Sequence, residues 1–305
     1  MIKVIVTTSI NAPTEAIEKF DALSDWILVV IGDLKTPKDY KLKRGIYVSP
    51  EEQEKYDPDL SEAIGWNSIQ RRNFGLLWAK DMKADVVALV DDDNIPYEGW
   101  GTNLLLEKEV EVNYYETELP VFDPVGATNY KHLWHRGYPL QLIPRREYHR
   151  CFKKIMKFDV QADFWDGDPD IDAVCRMIYR PECKFDCSAF PMAANKPSPF
   201  NSQNTFLRGE LLKDYFLFPH IGRMDDIWAA YYVQAKGAKV VFGKPSVCQK
   251  RNEHNLVVDM KREYLGYEHN LEMVSKLIEG PEVILSYLPQ TSRKAFYLYQ
   301  RHFHA

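Results

Sequence analysis

The stretch ADVVALVDDD, residues 84–93, joins an apolar run of strand length to three consecutive carboxylates. Carboxylates this close repel one another, by about 1 kcal/mol for a pair 4 Å apart in water. A divalent cation removes the repulsion, and Mg²⁺ or Mn²⁺ takes one or two protein carboxylates and completes its shell with water and phosphate oxygens. The triplet Asp91, Asp92 and Asp93 is therefore a candidate metal site, although a solvated acidic turn fits the same pattern.

Apolar periodicity on both sides of this stretch alternates between the spacings of strands and helices. Such alternation is typical of a mostly parallel sheet with helices on its faces, and ligands bind such sheets beyond the carboxyl ends of the strands. Gly32-Asp33 also follows a predicted strand, so two acidic clusters point to one crevice. We therefore predict an α/β, Rossmann-like fold that begins with strands at 2–6, 26–31 and 86–90, helices at 14–23 and 67–80, and a polar, proline-punctuated segment at 47–62.

Regular periodicity fades between residues 114 and 200, where aromatic residues, prolines and charges mix. A region of this length without regular elements is usually functional. From residue 256 the chain is predicted to be helical to near residue 300, with breaks at Gly280-Pro281 and Pro289. Between these regions we predict strands at 204–208 and 238–242 and helices at 209–216 and 225–235.

Composition excludes several classes of protein. The 305 residues are 45% hydrophobic and 27% charged, as in an ordinary globular protein, and the net charge of −5 without a long basic run argues against nucleic acid as a partner. We find no signal peptide and no stretch of membrane-spanning length, and expect a cytoplasmic protein. The five cysteines fit reduced thiols, and the group Cys175, Cys183, Cys187 and His149 lacks the Cys-x2-Cys pair typical of structural zinc.

Several sequence blocks resemble known glycosyltransferases. The stretch SIQRRNFGLLWA, residues 68–79, followed by a strand and the acidic triplet, resembles the core of GT-A glycosyltransferases, in which an Arg-Asn-x-Gly helix precedes a strand with an Asp-x-Asp motif. Residues 7–17 and 30–37 resemble the opening of the STELLO-type glycosyltransferase-like family, and residues 167–173 resemble another of its segments. The resemblance implies a GT-A catalytic domain over 1–255, with a nucleotide-binding half (1–113) and an acceptor half (114–255), and a helical extension over 256–305.

Two further blocks resemble the reversibly glycosylated polypeptides, which are UDP-arabinopyranose mutases. These blocks are RGYP at residues 136–139 and IGRMDDIWA at residues 221–229. Arg136 matches the arginine that becomes glycosylated in those proteins. The sequence between residues 138 and 225 departs considerably from theirs, and the opening blocks are foreign to them.

The GT-A resemblance implies a donor site at the first strand and at the end of the second. Asp33 is suited to accept from a uracil N–H, or to cap a turn. A guanidinium suits a diphosphate because its planar fork donates in pairs, and since adjacent helical residues point about 100° apart, only one of Arg71 and Arg72 is expected to face the ligand. The candidate residues for binding the nucleotide sugar are Thr7, Thr8, Asn11, Asp33, Arg71, Arg72, Asn73, Asp91, Asp92, Arg136, Lys250 and Arg251.

The same resemblance implies a metal cofactor, Mn²⁺ or Mg²⁺, bound chiefly by Asp93 with Asp91. His254 is a candidate third ligand, because many GT-A enzymes complete the metal shell with a late histidine, although a lone histidine in a polar loop is more often only a solvated side chain. The ion would neutralise charge on the departing nucleoside diphosphate.

Asp225 and Asp226 are the candidate catalytic carboxylates. As a general base, one of them would accept the proton of the acceptor hydroxyl, and we favour Asp226 slightly. The alternative is electrostatic, because carboxylates in a first helical turn cap free N–H groups. Asp168, Asp170 and Asp172 alternate through a turn, where sugar binding and helix capping are equally consistent with the pattern.

Together these features imply a metal-dependent glycosyltransferase that moves a sugar from a UDP-sugar to a hydroxyl of a glycan, lipid-linked or protein acceptor. Two alternatives stay open: a mutase or self-glycosylating protein acting through Arg136, and a nucleotide-sugar-binding module without turnover. The aromatic side chains of Trp134, Tyr138 and Trp165 would stack on a sugar or fill the core. The basic, aromatic tail at 293–304 is a candidate for peripheral contact with a membrane.

Overall fold

One central sheet organises the protein. A computed structural model describes residues 1–250 and 255–304. Within these ranges the sheet has eleven strands. They are β1 (Lys3–Thr8), β2 (Ile27–Ile31), β3 (Ile46–Val48), β4 (Val86–Val90), β5 (Asn94–Pro96), β6 (Val110–Tyr115), β7 (Cys151–Met156), β8 (Val160–Gly167), β9 (Met192–Ala194), β10 (Asn204–Arg208) and β11 (Val240–Gln249).

The strand order is β3-β2-β1-β4-β10-β8-β11-β9-β6-β7, with β5 pairing to β11. The first four strands in this order are all parallel. Strand β10 then lies antiparallel between β4 and β8, and the rest of the sheet is mixed. The predicted α/β class is thus confirmed, and the parallel pairs are those among β3, β2, β1 and β4 together with β8–β11 and β6–β9.

Helices flank the sheet because the central strands are apolar on both faces. All five residues of β4 are buried, as in strands covered by helices on both sides. Helix α4 packs closely on β1, since a Cβ atom on Gly75 would lie 2.3 Å from Cγ1 of Val6. The helices are α1 (Glu15–Asp21), α2 (Pro50–Tyr56), α3 (Pro58–Ile64), α4 (Arg72–Asp81), α5 (Ala173–Tyr179), α6 (Asp225–Ala235), α7 (Leu256–Lys276), α8 (Glu282–Tyr287) and α9 (Gln290–Arg301).

The segment 47–62, expected to be irregular, instead forms α2 and α3. Ser49 and Glu52 make a reciprocal capping box at the start of α2, and Asp57 caps α3 through the amide of Leu60. Each helix has seven residues and begins with a proline, so capping chemistry rather than apolar periodicity marks it.

The middle region, also expected to lack regular structure, contains β7, β8, α5 and β9. Strand β8 was not predicted, because its sequence VQADFWDG lacks a clear apolar pattern: the polar residues Gln161 and Asp163 occupy buried positions. Strand β7 has five exposed residues and no buried face to set an alternation. The helix expected at 209–216 is a single 3-10 turn at Gly209–Leu211.

The C-terminal helices share one core with the sheet. The side chain of Asn270 on α7 accepts from the indole of Trp228 at 2.8 Å and donates to the carbonyl of Gly137 at 2.9 Å. On α9, Phe296 and Tyr299 are fully buried, so the apolar side of the segment 293–304 faces the core. The peripheral membrane contact expected of this segment stays a prediction. No helix in the described ranges is long and apolar enough to cross a membrane.

Candidate functional site

Two adjoining cavities lie at the carboxyl ends of β1, β2 and β4. The triplet cavity, of about 370 Å³, contains the three aspartates and the loop after β1. The carboxylate cavity, of about 580 Å³, contains Arg136, Asp170, Asp225 and Asp226. The cavities adjoin because they share four lining residues, which are Asn67, Ser68, Ile69 and Asp91.

The three aspartates have different surroundings. Asp92 binds the loop after β1. Its Oδ2 accepts from Ser9 Oγ at 2.6 Å and from Asn11 Nδ2 at 3.3 Å. Its backbone carbonyl accepts from Thr14 Oγ1 at 2.5 Å. Asp91 forms an ion pair with a buried arginine, and both oxygens of Asp93 lie 3.4 Å from the amide nitrogen of Gln249. Asp92 and Asn11 therefore help to fix the loop after β1, and since both also line the triplet cavity, their donor role stays a prediction.

Arg72 is the arginine of the adjacent pair that lines the triplet cavity. Its Nη2 donates to Asp91 Oδ1 at 2.8 Å and lies 3.5 Å from Thr8 Oγ1, while its Nη1 donates to the carbonyl and hydroxyl of Ser202 at 2.6 and 2.9 Å. Thr8 also lines this cavity, whereas Thr7 is fully buried.

Arg71 points the other way, as the 100° spacing of adjacent helical residues predicts. Its Nε donates to Gln53 Oε1 at 2.8 Å, its Nη1 donates to the carbonyl of Ser61 at 3.1 Å, and its guanidinium lies 3.6 Å from the ring of Trp66. Burial lowers the pKa of Arg71 to about 10. These contacts assign Arg71 to the packing of α2 and α3 rather than to the predicted donor site.

Two other predicted donor residues bind backbone groups. The carboxylate of Asp33 accepts from the amides of Leu34, Asn67 and Ser68 at 2.6, 2.8 and 2.9 Å. These bonds agree with the alternative that Asp33 caps a turn. Asp33 also lines the triplet cavity. The fully buried amide of Asn73 pairs with the N–H and carbonyl of Leu217 at 2.9 and 2.8 Å. This pairing favours a structural role for Asn73.

Arg136 lies between two carboxylates in the carboxylate cavity. Its Nε and Nη2 donate to Asp170 at 2.9 and 2.8 Å, and its Nη1 donates to Asp226 at 2.9 Å. Burial alone would raise the pKa of Asp226, but the charge and hydrogen bonds of Arg136 outweigh it and lower the pKa. Asp226 also accepts from the N–H of Ser202 at 2.9 Å, so it is held as an ionised structural partner.

Asp225 differs from its neighbour in its surroundings. Burial and the charge of Asp226 raise the pKa of Asp225 to about 7, and its Oδ2 accepts from Gln70 Nε2 at 2.6 Å. A carboxylate with a pKa near the working pH is suited to exchange a proton with a hydroxyl. Both oxygens of Asp226 accept from Arg136, whereas Asp225 accepts from the neutral amide of Gln70, so these contacts favour Asp225 as the candidate base. The sequence slightly favours Asp226, and the choice between the two stays a prediction.

The three alternating aspartates separate in space. Asp168 pairs with Arg176, and Asp172 caps α5 through the amide of Cys175 at 2.8 Å. Only Asp170 enters the carboxylate cavity. Burial raises the pKa of Asp172 to about 7.

The aromatic candidates Trp134, Tyr138 and Trp165 are each at most 5% exposed and belong to the core.

The candidates after β11 stay predictions. Lys250 is exposed, and its Nζ lies 3.7 Å from a carboxylate oxygen of Glu15. Arg251 and His254 lie outside the described residues. Within the described ranges no group of three or more His, Cys, Asp or Glu side chains is arranged to hold a metal ion. Asp91 and Asp93 nevertheless fit Mg²⁺ or Mn²⁺, which take one or two protein carboxylates and fill the remaining positions with water and phosphate oxygens.

Sequence inspection missed Gln70 and Ser202, whose roles depend on contacts with distant residues. Gln70 stands one residue before the arginine pair in the quoted helix block, which is the one local signal of its position. Ser202 binds both Arg72 and Asp226 and so connects the two cavities. No sequence pattern indicates that connection.

Comparison with known proteins supports the STELLO resemblance. The chain is 26% identical over 184 residues to the probable glycosyltransferase STELLO1 of Arabidopsis thaliana, and 25% identical over 184 residues to STELLO2. Each match covers 56% of this chain and 24% of the relative, so the matched region is about a quarter of the relative's length. No family model matches the chain. The predicted resemblance to the STELLO proteins is thus confirmed, while the mutase resemblance stays a prediction.

Among solved structures, the chain is similar to glucosyl-3-phosphoglycerate synthase from Mycobacterium tuberculosis. The structure of that enzyme with Mn²⁺, UDP-glucose and phosphoglyceric acid matches with a TM-score of 0.49 and 14% sequence identity, over 89% of this chain and 80% of the other. The structure of its complex with UDP matches with the same values.

Proposed function

We propose that this chain is the catalytic part of a metal-dependent glycosyltransferase that takes its sugar from a nucleoside diphosphate sugar, with uridine as the nucleoside. The observation that carries the proposal is the junction of the two cavities at Asp91. One cavity presents the acidic triplet beside Arg72, and the adjoining cavity presents Asp225, whose pKa is raised to about 7. The names of the two STELLO relatives support the transferase class.

The triplet cavity would hold the donor. Asp93 and Asp91 would bind the divalent ion, which when bound supplies positive charge to the diphosphate and assists its departure. Arg72 keeps the carboxylate of Asp91 at the mouth of both cavities through its 2.8 Å ion pair. The backbone of residues 67–69, shared by both cavities and fixed by Asp33, would place the sugar between them.

The carboxylate cavity would hold the acceptor. Asp225 would accept the proton of the acceptor hydroxyl as its oxygen bonds to the anomeric carbon, while the bond from that carbon to the diphosphate breaks and the diphosphate keeps the electron pair. Asp226 and Asp170, which are 90 and 34 residues from Arg136 in the sequence, accept hydrogen bonds from its guanidinium. They thereby hold its positive charge in the carboxylate cavity. That charge favours the ionised form of Asp225.

The structure weighs against the mutase alternative. Arg136 is 7% exposed, and all three nitrogens of its guanidinium donate to Asp170, to Asp226 or to the carbonyl of Arg223. Burial lowers the pKa of Arg136, but the two carboxylates outweigh it and raise that pKa well above its ordinary value. A guanidinium held in its charged form is a poor nucleophile, so it is poorly placed to carry a sugar.

The test is a mass-spectrometric screen of UDP-, GDP- and TDP-sugars with Mn²⁺ and no added acceptor. We expect slow release of free nucleoside diphosphate from one UDP-sugar, and loss of that release in Asp93→Asn. Asp39→Asn, at an exposed position away from both cavities, is the matched control and should behave like the unmodified protein. A sugar that changes ring form while still attached to its nucleotide, or binding without turnover, would overturn the proposal.

A further inference from the structure

Gln70 connects the shared wall of the two cavities to the candidate base. Its Nε2 donates to Asp225 Oδ2 at 2.6 Å, across 155 residues of sequence. At the other end of the same amide, the hydroxyl of Ser68 donates to Oε1 of Gln70. A glutamine amide has one accepting and one donating end. Because Ser68 engages the accepting end, the donating end is directed at the carboxylate of Asp225.

The segment that carries Gln70 is itself fixed. The amides of Asn67 and Ser68 donate to the carboxylate of Asp33 at 2.8 and 2.9 Å. Ser68 Oγ also accepts from the backbone N–H of Gln70 at 3.3 Å, which caps the 3-10 turn Ile69–Arg71. A continuous set of hydrogen bonds therefore runs from the end of β2 to the first residue of α6.

Asp225 needs such a partner because its surroundings oppose its charge. It is 5% exposed, and burial and the neighbouring Asp226 both raise its pKa. The charge of Arg136 and the hydrogen bond from Gln70 act in the opposite direction. The titratable and charged groups around Asp225 are Asp226, the Arg136–Asp170 pair, Tyr215 and, across the cavity, Asp91, His220, Arg223 and Arg262. The backbone N–H of Asp226 and the side-chain amide of Gln70 are neutral donors to this carboxylate, and Gln70 donates from across the cavity wall.

We propose that Gln70, held in place by Ser68, is a positioning residue that orients the Asp225 carboxylate toward the acceptor and stabilises its ionised form. The catalytic meaning of this inference rests on the proposed function. The hydrogen bond and its effect on Asp225 do not, so they are measured separately.

The experiment compares Gln70→Leu and Gln70→Glu with the unmodified protein by two readouts. The first is a carbon-13 NMR titration of the Asp225 carboxyl, assigned with Asp225→Asn, and the second is the pH profile of nucleoside diphosphate release. Removing the donor in Gln70→Leu should raise the pKa of Asp225 by about one unit and move the rise in activity to higher pH by the same amount. Gln70→Glu places a like charge beside Asp225 and should raise the pKa further. Gln141→Leu, at an exposed glutamine, should shift neither readout.

Ser68→Ala tests whether the serine directs the amide. It should move the Asp225 pKa in the same direction as Gln70→Leu but by less, because the glutamine side chain is still present. An Asp225 pKa that is unchanged in a folded Gln70→Leu variant would overturn the inference. If no donor is turned over by the unmodified protein, the proposed function fails, yet the titration still decides whether Gln70 acts on Asp225.

Discussion

Nη2 of Arg72 lies 2.8 Å from Oδ1 of Asp91, and both residues line the triplet cavity. The other terminal nitrogen of Arg72 binds Ser202, whose N–H and hydroxyl in turn donate to Asp226. Hydrogen-bonded side chains therefore connect Asp91, which lines both cavities, to Asp226 in the carboxylate cavity. A substitution of Asp91 or Arg72 should therefore alter the position of the Asp226 side chain, and a substitution of Asp226 should alter that of Arg72.

Replacing Arg72 should weaken donor binding. In Arg72→Met, Asp91 loses its ion pair with the buried guanidinium and Ser202 loses a donor, so the position of Asp91 in the cavity is less strictly fixed. Losing a hydrogen bond to a charged group costs about 1.5–3 kcal/mol, or roughly a tenfold to hundredfold loss of affinity. Calorimetric titration of UDP in the presence of Mn²⁺ measures the change.

Arg71→Met is the matched comparison, because Arg71 precedes Arg72 but faces α2 and α3. It should leave UDP affinity unchanged and lower the melting temperature, since Gln53 and Ser61 lose their buried partner. Weakened UDP binding in Arg71→Met without a loss of stability would contradict the assignment of the two arginines.

The neighbouring carboxylates of α6 should respond differently to substitution. Asp225→Asn should lower the transfer rate by about 10²–10⁴-fold, as expected for loss of a general base, with the melting temperature preserved. Asp226→Ala leaves Arg136 short of a buried partner and should cost about 3–5 kcal/mol in the free energy of unfolding. Urea denaturation and release of nucleoside diphosphate separate the two effects, and equal loss of stability in both variants would count against Asp225 as the base.

Asp163 should make stability fall as pH rises through the mildly acidic range. Burial raises the pKa of this carboxyl to about 6, whereas the unfolded chain should titrate near about 4. Between these values the folded state retains a proton that the unfolded state has released, so the free energy of unfolding decreases with pH. The contribution is fully present below about pH 4 and is lost by about pH 6, to an extent of about 2–3 kcal/mol.

Urea denaturation at a series of pH values measures this slope. Asp163→Asn, which keeps the shape and the contact with Gln161 but carries no charge, should flatten the part of the slope between about pH 4 and 6. An unchanged slope in that variant would show that Asp163 titrates normally in the folded protein.

Deleting residues 256–305 should prevent folding, because α7 is built into the core. The carboxylate of Glu263 accepts from the amide of Ala173 and from Nε of Arg223, both at 2.8 Å, and Met273 is fully buried. Circular dichroism and solubility of the truncated chain check this expectation. A deletion of 302–305 alone, which removes the contact of His302 with Asp57, should leave the fold intact. A cooperatively unfolding 1–255 fragment would instead make the last helices a separable extension.

Several elements in both halves of the chain were predictable because their local signals agree with their tertiary environment. The strands at 86–90 and 204–208 and the helix at 225–235 were predicted with the bounds that the structure has. These segments carry strong apolar patterns and have a consistent buried side. Strand β8 was missed for the opposite reason, since Gln161 and Asp163 are buried and polar within a sheet.

The sequence by itself determined that an acidic triplet ends a buried strand and that an arginine pair precedes it on a helix. Tertiary structure decided which members of these sets face a cavity. It directed Arg72 to Asp91, brought Asp170 and Asp226 to Arg136 from 34 and 90 residues away, and buried Asp225 so that its pKa rises to about 7. Strand and helix formation depends mostly on neighbouring residues, whereas the charge state of a carboxylate depends on burial and on partners that only the folded chain brings together.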